Sequence, residues 1–297
     1  MKLVVTGSNG FVAGSIIAQA DTTWEVHGIA RTPAPAGNYT FIHHQLDLED
    51  RGALTDLLHQ LQPDAVIHSA AIANIDYCEN NPSVAEAVNI GITTTIANAC
   101  KAIGAKLVFC STDAVFDGTS GNYKEQDNTH AINVYASTKI KAEQFVLAAS
   151  SINVVARLAL VMGLPVMGSG NSFLFETIEK LKSGQSFKFP EEEIRTPIDV
   201  ITLGKALLEL ASNPFSGIIH LAGNTSISRY AMAKQIAVTT GLPEELIITT
   251  TGNPIPGRAP RAKNASLNNS LARQVLQTPM LSLEEGLLLT LHFKTAE

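Results

Sequence analysis

The chain has 297 residues, a formal net charge of −6 and 45% hydrophobic residues, which is enough for a complete core and a smaller second lobe. Its Lys and Arg residues are scattered and form no basic run, so neither nucleic acid nor an acidic membrane surface is expected as a partner. No apolar stretch reaches bilayer length and no signal-peptide pattern opens the chain, which predicts a cytoplasmic protein.

The first element is a short apolar run, Met1 to Thr6, followed by a glycine-rich turn, Gly7-Ser-Asn9-Gly10, and then by a helical pattern. Gly7 permits the tight turn, and Gly10 lets the backbone approach a pyrophosphate at the helix N-terminus. We therefore predict that this turn, Asn9 included, binds a dinucleotide. Ala13 stands where a third glycine could fall, so an ordinary strand-to-helix turn remains an alternative.

The second predicted strand, Trp24 to Ala30, ends in Arg31 and Thr32. Enzymes that select NAD place an acidic residue at this point to accept the ribose 2′-hydroxyl. Arg31 can instead pair with a 2′-phosphate, and Thr32 can add a hydroxyl, so we predict NADPH, with NADH possible. Alternatively, Arg31 stacks over the adenine without selecting.

Apolar runs alternate with helical patterns along the first two thirds of the chain, which is typical of a parallel sheet covered on both faces. The fold class is therefore α/β, a Rossmann-type doubly wound parallel sheet with a smaller C-terminal substrate-binding lobe. Ligands of such sheets bind beyond the carboxyl ends of the strands. Further predicted strands are Ala65 to Ser69, Lys106 to Ser111 and Ile152 to Leu158, and predicted helices are Pro82 to Ala102 and Asn133 to Ala149.

Cysteine and histidine residues are dispersed along the sequence. The three cysteines form no C-x-x-C pair, so neither a disulfide framework nor a metal site is indicated. His68, at the end of a buried strand, is interpreted as a hydrogen-bonded structural residue rather than a catalyst.

Tyr135 and Lys139 lie four residues apart in a predicted helix, which places the phenol and the ammonium on one face. A free Tyr titrates near pH ~10, so proton transfer at neutral pH needs a lowered pKa. Because a fixed cation stabilises the phenolate, Lys139 is placed to supply that shift. The spacing predicts Tyr135 as a catalytic acid.

A second lobe is predicted after residue 160, where loops at 162–170 and 190–193 are rich in turn formers or charge. The segment Gly217 to Gly223 reads as another buried strand, so the chain is expected to return to the main sheet. The predicted division is 1–160 and about 198–223 for the dinucleotide-binding domain, and about 161–197 and 224–297 for the substrate-binding lobe. A final packing helix is predicted from Ser282.

Taken together, these motifs resemble the extended short-chain dehydrogenase/reductase superfamily and, within it, most closely the dTDP-4-dehydrorhamnose reductase family. The resemblance spans nearly the whole chain, and its motifs are densest before residue 140. The landmarks are Gly7-x-x-Gly10, Asp47-Leu48, Ser69-Ala-Ala71, Ile75-Asp76 with Glu79 and Pro82, Ser111-Thr-Asp113 with Val115-Phe116, Asn133-Val-Tyr135, Lys139, Arg195-Thr-Pro197, and Arg261 with Ser266-Leu-Asn268.

The resemblance implies a role for individual residues. Tyr135 would donate a proton to a sugar keto oxygen, Thr112 would polarise that oxygen, and Lys139 would hold the nicotinamide ribose. Asp113 would contact the sugar or the catalytic hydroxyls. The cofactor contacts it implies are Gly10, Phe11 and Val12 at the pyrophosphate, Asp47 and Leu48 at the adenine, and Ala70, Ala71 and Ile72 on the ribose side. Alternatively, Thr112 only caps a strand and Lys139 is a solvated helix residue.

Ala114 departs from the family pattern. Reductases of this family usually carry an aromatic residue there, and related dehydratases carry a Glu, so dehydration is disfavoured and the sugar contact is altered. An aromatic wall for the sugar would then come from residues such as Phe173 or Phe175.

Arginines of the second lobe are candidates for the diphosphate of a nucleotide sugar, because the planar guanidinium suits phosphate oxygens. Arg195 is the first candidate, and Arg258 or Arg261 is the second. A surface salt bridge is the alternative reading of each.

The function predicted is NADPH-dependent reduction of a nucleotide-linked keto sugar, most specifically dTDP-4-dehydrorhamnose to dTDP-rhamnose, by a monomer or homodimer. One alternative is a nucleotide-sugar epimerase or another sugar reductase. The other is a non-catalytic NADP-binding regulatory subunit, because the β subunit of methionine adenosyltransferase is similar in sequence to this family.

Overall fold

The computed structural model describes residues 1–37, 39–168, 172–250 and 257–293. A seven-stranded sheet forms the centre of the molecule, with two-stranded ladders beside it. The strands are β1 Lys2–Thr6, β2 Glu25–Ala30, β3 Ile42–Gln45, β4 Ala65–His68, β5 Lys106–Thr112, β6 Val154–Leu158, β7 Val161–Met162, β8 Phe187–Pro190, β9 Ile194–Arg195, β10 Ile198–Asp199, β11 Gly217–Leu221, β12 Ile227–Ser228 and β13 Ile247–Thr250.

Helices connect most of these strands. They are α1 Phe11–Gln19, α2 Arg51–Leu61, α3 Ile75–Asn80, α4 Pro82–Glu86, α5 Thr93–Ile103, α6 Val134–Ala149, α7 Phe173–Lys182, α8 Val200–Ser212, α9 Arg229–Thr240, α10 Ser270–Val275 and α11 Leu283–His292. A π-helical segment covers Ala87–Ile92, and short 3₁₀ turns cover Asp113–Val115 and Glu244–Leu246.

The central sheet has the strand order β11-β6-β5-β4-β1-β2-β3, and all of its pairings are parallel. One face packs against α1 and α8 through residues such as Ile16 and Leu203, and the other packs against α2, α5 and α6 through residues such as Leu54 and Ile96. After β1 the chain adds β2 and β3 on one side of β1, and it then returns to add β4 and the later strands on the other side. This reversal of strand order opens a crevice at the carboxyl ends of β1 and β4. The predicted α/β fold is confirmed.

The predicted helix over 82–102 is interrupted. α4 ends at Glu86, and Ala87–Ile92 widens into the π-helical segment before α5 begins. The hydroxyls of Thr93, Thr94 and Thr95 each bond the carbonyl four residues earlier, which competes with regular helical hydrogen bonding. Three- and four-residue apolar spacing persists on both sides of the segment, so the sequence pattern carried no sign of it.

A separate cluster of apolar residues forms the core of the smaller C-terminal part, where α7 and α9 pack together beside β8 and β13. β11 pairs with β6 at the edge of the central sheet, as the sequence predicted for this strand. The residue boundaries of the two lobes stay a prediction. Of the predicted segments, residues 169–170 of the first loop and the chain end after 293 lie outside the described residues.

Candidate active site

A cavity of about 680 Å³ lies at the carboxyl ends of β1, β2 and β4, and we call it the larger cavity. Of the residues predicted to contact the cofactor, most line it: Gly7, Asn9, Gly10, Arg31, Asp47, Leu48, Ala70, Ala71 and Ile72. Thr32 and Glu49 also line it. Val12 lies instead in the smaller cavity described below, and Phe11, the first residue of α1, lines neither cavity.

The glycine turn brings backbone segments very close together. Gly7 has φ +70°, and a Cβ there would lie 3.1 Å from the Ala70 Cα; a Cβ on Gly10 would lie 2.9 Å from the Gly7 carbonyl. α1 begins directly after Gly10, which caps it without a side-chain hydrogen bond. Free N–H groups of a first turn beside a bare glycine backbone form a site that suits a pyrophosphate.

Asn9 connects this turn to the loop after β2. Its amide nitrogen donates to the Thr32 hydroxyl at 2.8 Å and to the carbonyls of Thr32 and Pro33. Its Oδ1 is buried without a hydrogen-bond partner among the described residues. Arg31, next to this anchored loop, is exposed at the wall of the larger cavity, so the residue types and their placement fit a dinucleotide.

A second cavity of about 330 Å³, the smaller cavity, contains the predicted catalytic residues Thr112, Tyr135 and Lys139. Ser69 and Ala71 line both cavities, so the two adjoin. The remaining polar or charged lining residues of the smaller cavity are Ser111, Asp113, Asn133, Arg195, Arg229 and Arg261.

α6 positions Tyr135 and Lys139. It begins after Asn133, whose side-chain oxygen accepts from the Ala136 N–H at 2.8 Å as an N-cap. Tyr135 and Lys139 are almost fully buried on the face that packs against β5. Lys139 Nζ donates to the Cys110 carbonyl at 2.7 Å, and burial lowers the pKa of Lys139 to about 8.

The pKa of Tyr135 shifts opposite to the sequence prediction. Burial raises the pKa of the phenol above its ordinary value, and the Asp113 carboxylate acts in the same direction. The Thr112 hydroxyl acts against this rise. The net shift is thus the reverse of the lowered pKa that the sequence predicted for Tyr135, and the Lys139 ammonium donates to a carbonyl of β5. Tyr135 is therefore a protonated phenol at neutral pH.

Asp113 and Arg195 both line the smaller cavity and form an ion pair, with Asp113 Oδ2 at 3.7 Å from Arg195 Nε. Asp113 Oδ1 accepts from the Thr112 hydroxyl at 3.2 Å, whereas Oδ2 is buried without a hydrogen-bond partner among the described residues. Burial raises the pKa of Asp113. The terminal nitrogens of Arg195 donate to the carbonyls of Ile194 and Ala262, which fixes the guanidinium in the cavity wall.

The two other arginine candidates occupy different positions. Arg261 lines the smaller cavity, and its guanidinium bonds Asp76 Oδ2 at 2.9 Å. Arg258 does not line that cavity and instead bonds Glu193 Oε1 at 3.0 Å. Arg195 and Arg261 thus both line the smaller cavity. Arg258 forms the salt bridge that the sequence analysis gave as the alternative to diphosphate binding.

Arg229 lines the smaller cavity, although no sequence motif marks it. Its guanidinium lies over Phe173 at 5.0 Å from the ring centroid and bonds Glu193, and its Nε is buried without a hydrogen-bond partner among the described residues. Neither Phe173 nor Phe175 lines the smaller cavity: Phe173 packs under Arg229, and Phe175 is 38% exposed. The predicted aromatic wall is wrong, because α7 turns Phe173 into the core of the smaller lobe.

The π-helical segment delivers a second residue that the sequence did not reveal. Asn89 Oδ1 accepts from the Ile72 N–H at 2.9 Å, and its Nδ2 donates to the Ile72 carbonyl and to the Thr138 hydroxyl, both at 3.1 Å. Thr138 in turn donates to the Tyr135 carbonyl. Asn89 therefore joins the wall of the larger cavity to the helix that carries the phenol.

His68 has the structural role predicted for it. Its ring nitrogens lie 2.7 Å from the Thr6 hydroxyl and 3.0 Å from the Thr93 hydroxyl, and burial lowers its pKa to about 3. Among the described residues, no group of three or more His, Cys, Asp or Glu side chains could hold a metal ion. Over the same residues, no helix has both the length and the apolar character needed to cross a bilayer.

Comparison with known proteins assigns the family. A model of the RmlD substrate binding domain matches residues 1–293. The chain belongs to this family. A dTDP-4-dehydrorhamnose reductase from Mycobacterium tuberculosis is 30% identical over 275 residues, which cover 90% of this chain and 85% of the relative. The family predicted from the sequence motifs is thus confirmed.

Two further proteins are similar to this chain. The methionine adenosyltransferase 2 subunit beta of Bos taurus is 28% identical over 276 residues, 91% of this chain and 80% of that protein. A dTDP-4-dehydrorhamnose reductase from Bacillus anthracis, solved in complex with NADP, superposes with a TM-score of 0.88 over 98% of both chains at 23% identity, and so shares the fold.

Proposed function

We propose that this chain is an NADPH-dependent reductase of a nucleotide-linked keto sugar, and most specifically of dTDP-4-dehydrorhamnose, which it converts to dTDP-rhamnose. The observation that carries the proposal is the placement of Thr112, Tyr135 and Lys139 in one cavity that adjoins the glycine-turn cavity through Ser69 and Ala71. The 30% identical relative from Mycobacterium tuberculosis supports the choice of substrate.

The larger cavity would hold the cofactor. The Gly7 to Gly10 turn would take the pyrophosphate, and Asp47 and Leu48 would contact the adenine. Arg31, with its exposed guanidinium and no carboxylate at this strand end, favours the 2′-phosphate of NADPH over NADH. When bound, the nicotinamide supplies the hydride that reduces the keto carbon.

Tyr135 would give its phenolic proton to the keto oxygen. Burial keeps the phenol protonated at neutral pH, and proton transfer to the keto oxygen would need its pKa to fall once the cofactor and the sugar are bound. The Thr112 hydroxyl, which lines the same cavity, would orient the same oxygen. Lys139 lies one helical turn away and would hold the nicotinamide ribose and stabilise the phenolate that forms.

The smaller cavity would hold the sugar and its diphosphate. Asp113 Oδ2, which is buried without a hydrogen-bond partner among the described residues, would accept a hydrogen bond from a sugar hydroxyl. Arg195 would contact the diphosphate at the cavity wall. With Ala114 in place of the usual aromatic residue, the smaller cavity keeps room on one side of the sugar. Replacing Arg195 with Ala is expected to raise KM, and an unchanged KM would remove Arg195 from the substrate site.

The decisive variant is Tyr135→Phe. Loss of the phenolic proton is expected to lower kcat by about 10²- to 10⁴-fold while NADPH affinity stays within about twofold. Tyr230, on α9, lines neither cavity, so Tyr230→Phe is the matched control and should keep wild-type turnover. Wild-type turnover by Tyr135→Phe would contradict the catalytic role.

A second candidate function is an NADP-binding regulatory subunit, which the 28% identity to methionine adenosyltransferase 2 subunit beta favours. A binding module has no use for a buried phenol paired with Thr112 beside Lys139, so we rank it second. It predicts NADPH binding without turnover of any keto sugar. A nucleotide-sugar epimerase is the third candidate function. An epimerase would interconvert sugars with no net loss of NADPH.

A further inference from the structure

A row of buried polar side chains crosses the central sheet beside the smaller cavity. Ser111, Arg157 and His220 stand side by side in register on β5, β6 and β11. Glu143 of α6 lies against this row and is 4% exposed. Its carboxylate accepts from the Ser111 hydroxyl at 2.5 Å and from two nitrogens of Arg157, the shorter contact being 2.8 Å. The catalytic groups identified above make no use of this ion pair.

Arg157 is itself held from its other sides. Its guanidinium donates to the Glu125 carbonyl at 3.3 Å and lies over the Phe116 ring. His220 lies beside it, and burial lowers the pKa of His220 to about 3, so this imidazole is neutral and adds no second charge. The guanidinium therefore has one charged partner in contact, the Glu143 carboxylate, among the described residues.

The pair is linked to the catalytic residues by the spacing of α6. Tyr135, Lys139 and Glu143 follow one another at four-residue intervals and share a helix face. Lys139 donates to the Cys110 carbonyl and Glu143 accepts from the Ser111 hydroxyl, while Tyr135 lies in the smaller cavity with Thr112, the next residue of β5. Tyr135 and Lys139 line the smaller cavity, whereas Glu143 does not.

Glu143 also influences the charge of Lys139. Burial lowers the pKa of Lys139, and the Cys110 thiol, when it ionises, and then the Glu143 carboxylate, one turn along the helix, act against that fall. Titratable groups near Lys139 are His68 of β4, Cys110 of β5, Tyr135 and Glu143 of α6, and Asp113 in the same cavity. His68 and Cys110 are neutral at pH 7, because burial shifts their pKa values to about 3 and about 12.

We propose that Glu143, held by Arg157 and Ser111, is a positioning residue that fixes the Lys139 ammonium and the Thr112 hydroxyl against Tyr135. This inference rests on the proposed function in taking those three residues as the catalytic group. Glu143 lines neither cavity, and it acts through its contact with Ser111, through the distance between β5 and α6 and through its charge.

The first test needs no substrate. Isotope-labelled lysine side chains are titrated by NMR in the wild type and in Glu143→Gln, with Lys139→Arg used to assign the signal. The Lys139 midpoint is expected near pH 8 in the wild type and lower in Glu143→Gln, because the opposing charge is lost. An unchanged midpoint would overturn the electrostatic part of the inference.

The second test is turnover. Glu143→Gln is expected to lower kcat by about 10- to 100-fold with KM within about twofold, since small misplacement of reacting groups costs rate rather than binding. The alkaline limb of the kcat profile should move to lower pH together with the Lys139 midpoint. Glu125→Gln, on the far side of Arg157, is the matched control and should retain wild-type kcat.

A double variant separates positioning from the cost of an unpaired buried charge. Glu143→Gln with Arg157→Met removes both charges, and the proposal expects kcat to stay low and the Lys139 midpoint to stay shifted. Return of kcat to the wild-type value in the double variant would overturn it. If the wild type reduces no keto sugar, the proposed function fails, whereas the Lys139 titration still decides the role of Glu143.

Discussion

Removing the Asn89 side chain tests most directly how the wall of the larger cavity is joined to the helix that carries Tyr135. Its carboxamide makes hydrogen bonds to the Ile72 N–H, the Ile72 carbonyl and the Thr138 hydroxyl, and the residue is 1% exposed. In Asn89→Ala the Ile72 N–H loses its partner, which costs about 1–3 kcal/mol, and the two other bonds contribute about 0.5–1.5 kcal/mol each. We expect the free energy of unfolding to fall by roughly 2–6 kcal/mol.

Urea unfolding without cofactor measures this loss. Asn98→Ala is the matched control, because Asn98 lies on α5 with an exposed side chain, and its substitution should change the free energy of unfolding by less than about 0.5 kcal/mol. Asn89→Ala should also weaken NADPH binding, since Ile72 lines the larger cavity. A loss below about 1 kcal/mol with an unchanged m-value would refute the bridging role assigned to this carboxamide.

Three further predictions concern the cofactor site and pH. Gly7→Ala should abolish NADPH binding, because a Cβ at this position would lie 3.1 Å from the Ala70 Cα. Gly104 has a similar positive φ with nothing within 4 Å of a Cβ, so Gly104→Ala should bind NADPH normally. Equal binding by both variants would contradict this prediction. Arg31→Ala should raise the Kd for NADPH by about tenfold and leave that for NADH unchanged, as measured by fluorescence titration, and an unaltered ratio would show that Arg31 does not select. The folded protein keeps His68 neutral to about pH 3, whereas an unfolded His takes up a proton near pH 6.5, so acid destabilises the fold. Between pH 6.5 and 5 the wild type should lose about 2 kcal/mol of unfolding free energy through this residue, and His68→Gln should lose correspondingly less in urea titrations at the two pH values.

The parts of the site that sequence revealed are those encoded by short-range spacing. The Gly7 to Gly10 turn and the four-residue interval between Tyr135 and Lys139 are local patterns, and each fixes a geometry within one turn or one helix face. Strand ends were equally readable, because alternating strand and helix patterns require a parallel sheet whose carboxyl ends meet at one edge. Arg31 was found in this way, and it lines the larger cavity.

Other features depend on contacts between distant segments. Arg229 reaches the smaller cavity because Glu193 and Phe173 hold its guanidinium there, and no local pattern encodes that meeting. The direction of the Tyr135 pKa shift depends on how completely the phenol is buried, and the four-residue interval to Lys139 carries no information about burial. Asn89 was missed because a π-helical turn leaves the apolar periodicity intact.

Loss of NADPH absorbance on addition of dTDP-4-dehydrorhamnose tests the central claim most directly, with UDP-linked and GDP-linked keto sugars and with NADH run alongside. The account predicts rapid oxidation of NADPH with the dTDP sugar, slower oxidation of NADH, and about 10²- to 10⁴-fold loss of turnover in Tyr135→Phe. NADPH that binds but remains unoxidised with every sugar would contradict the reductase function and favour the regulatory-subunit alternative.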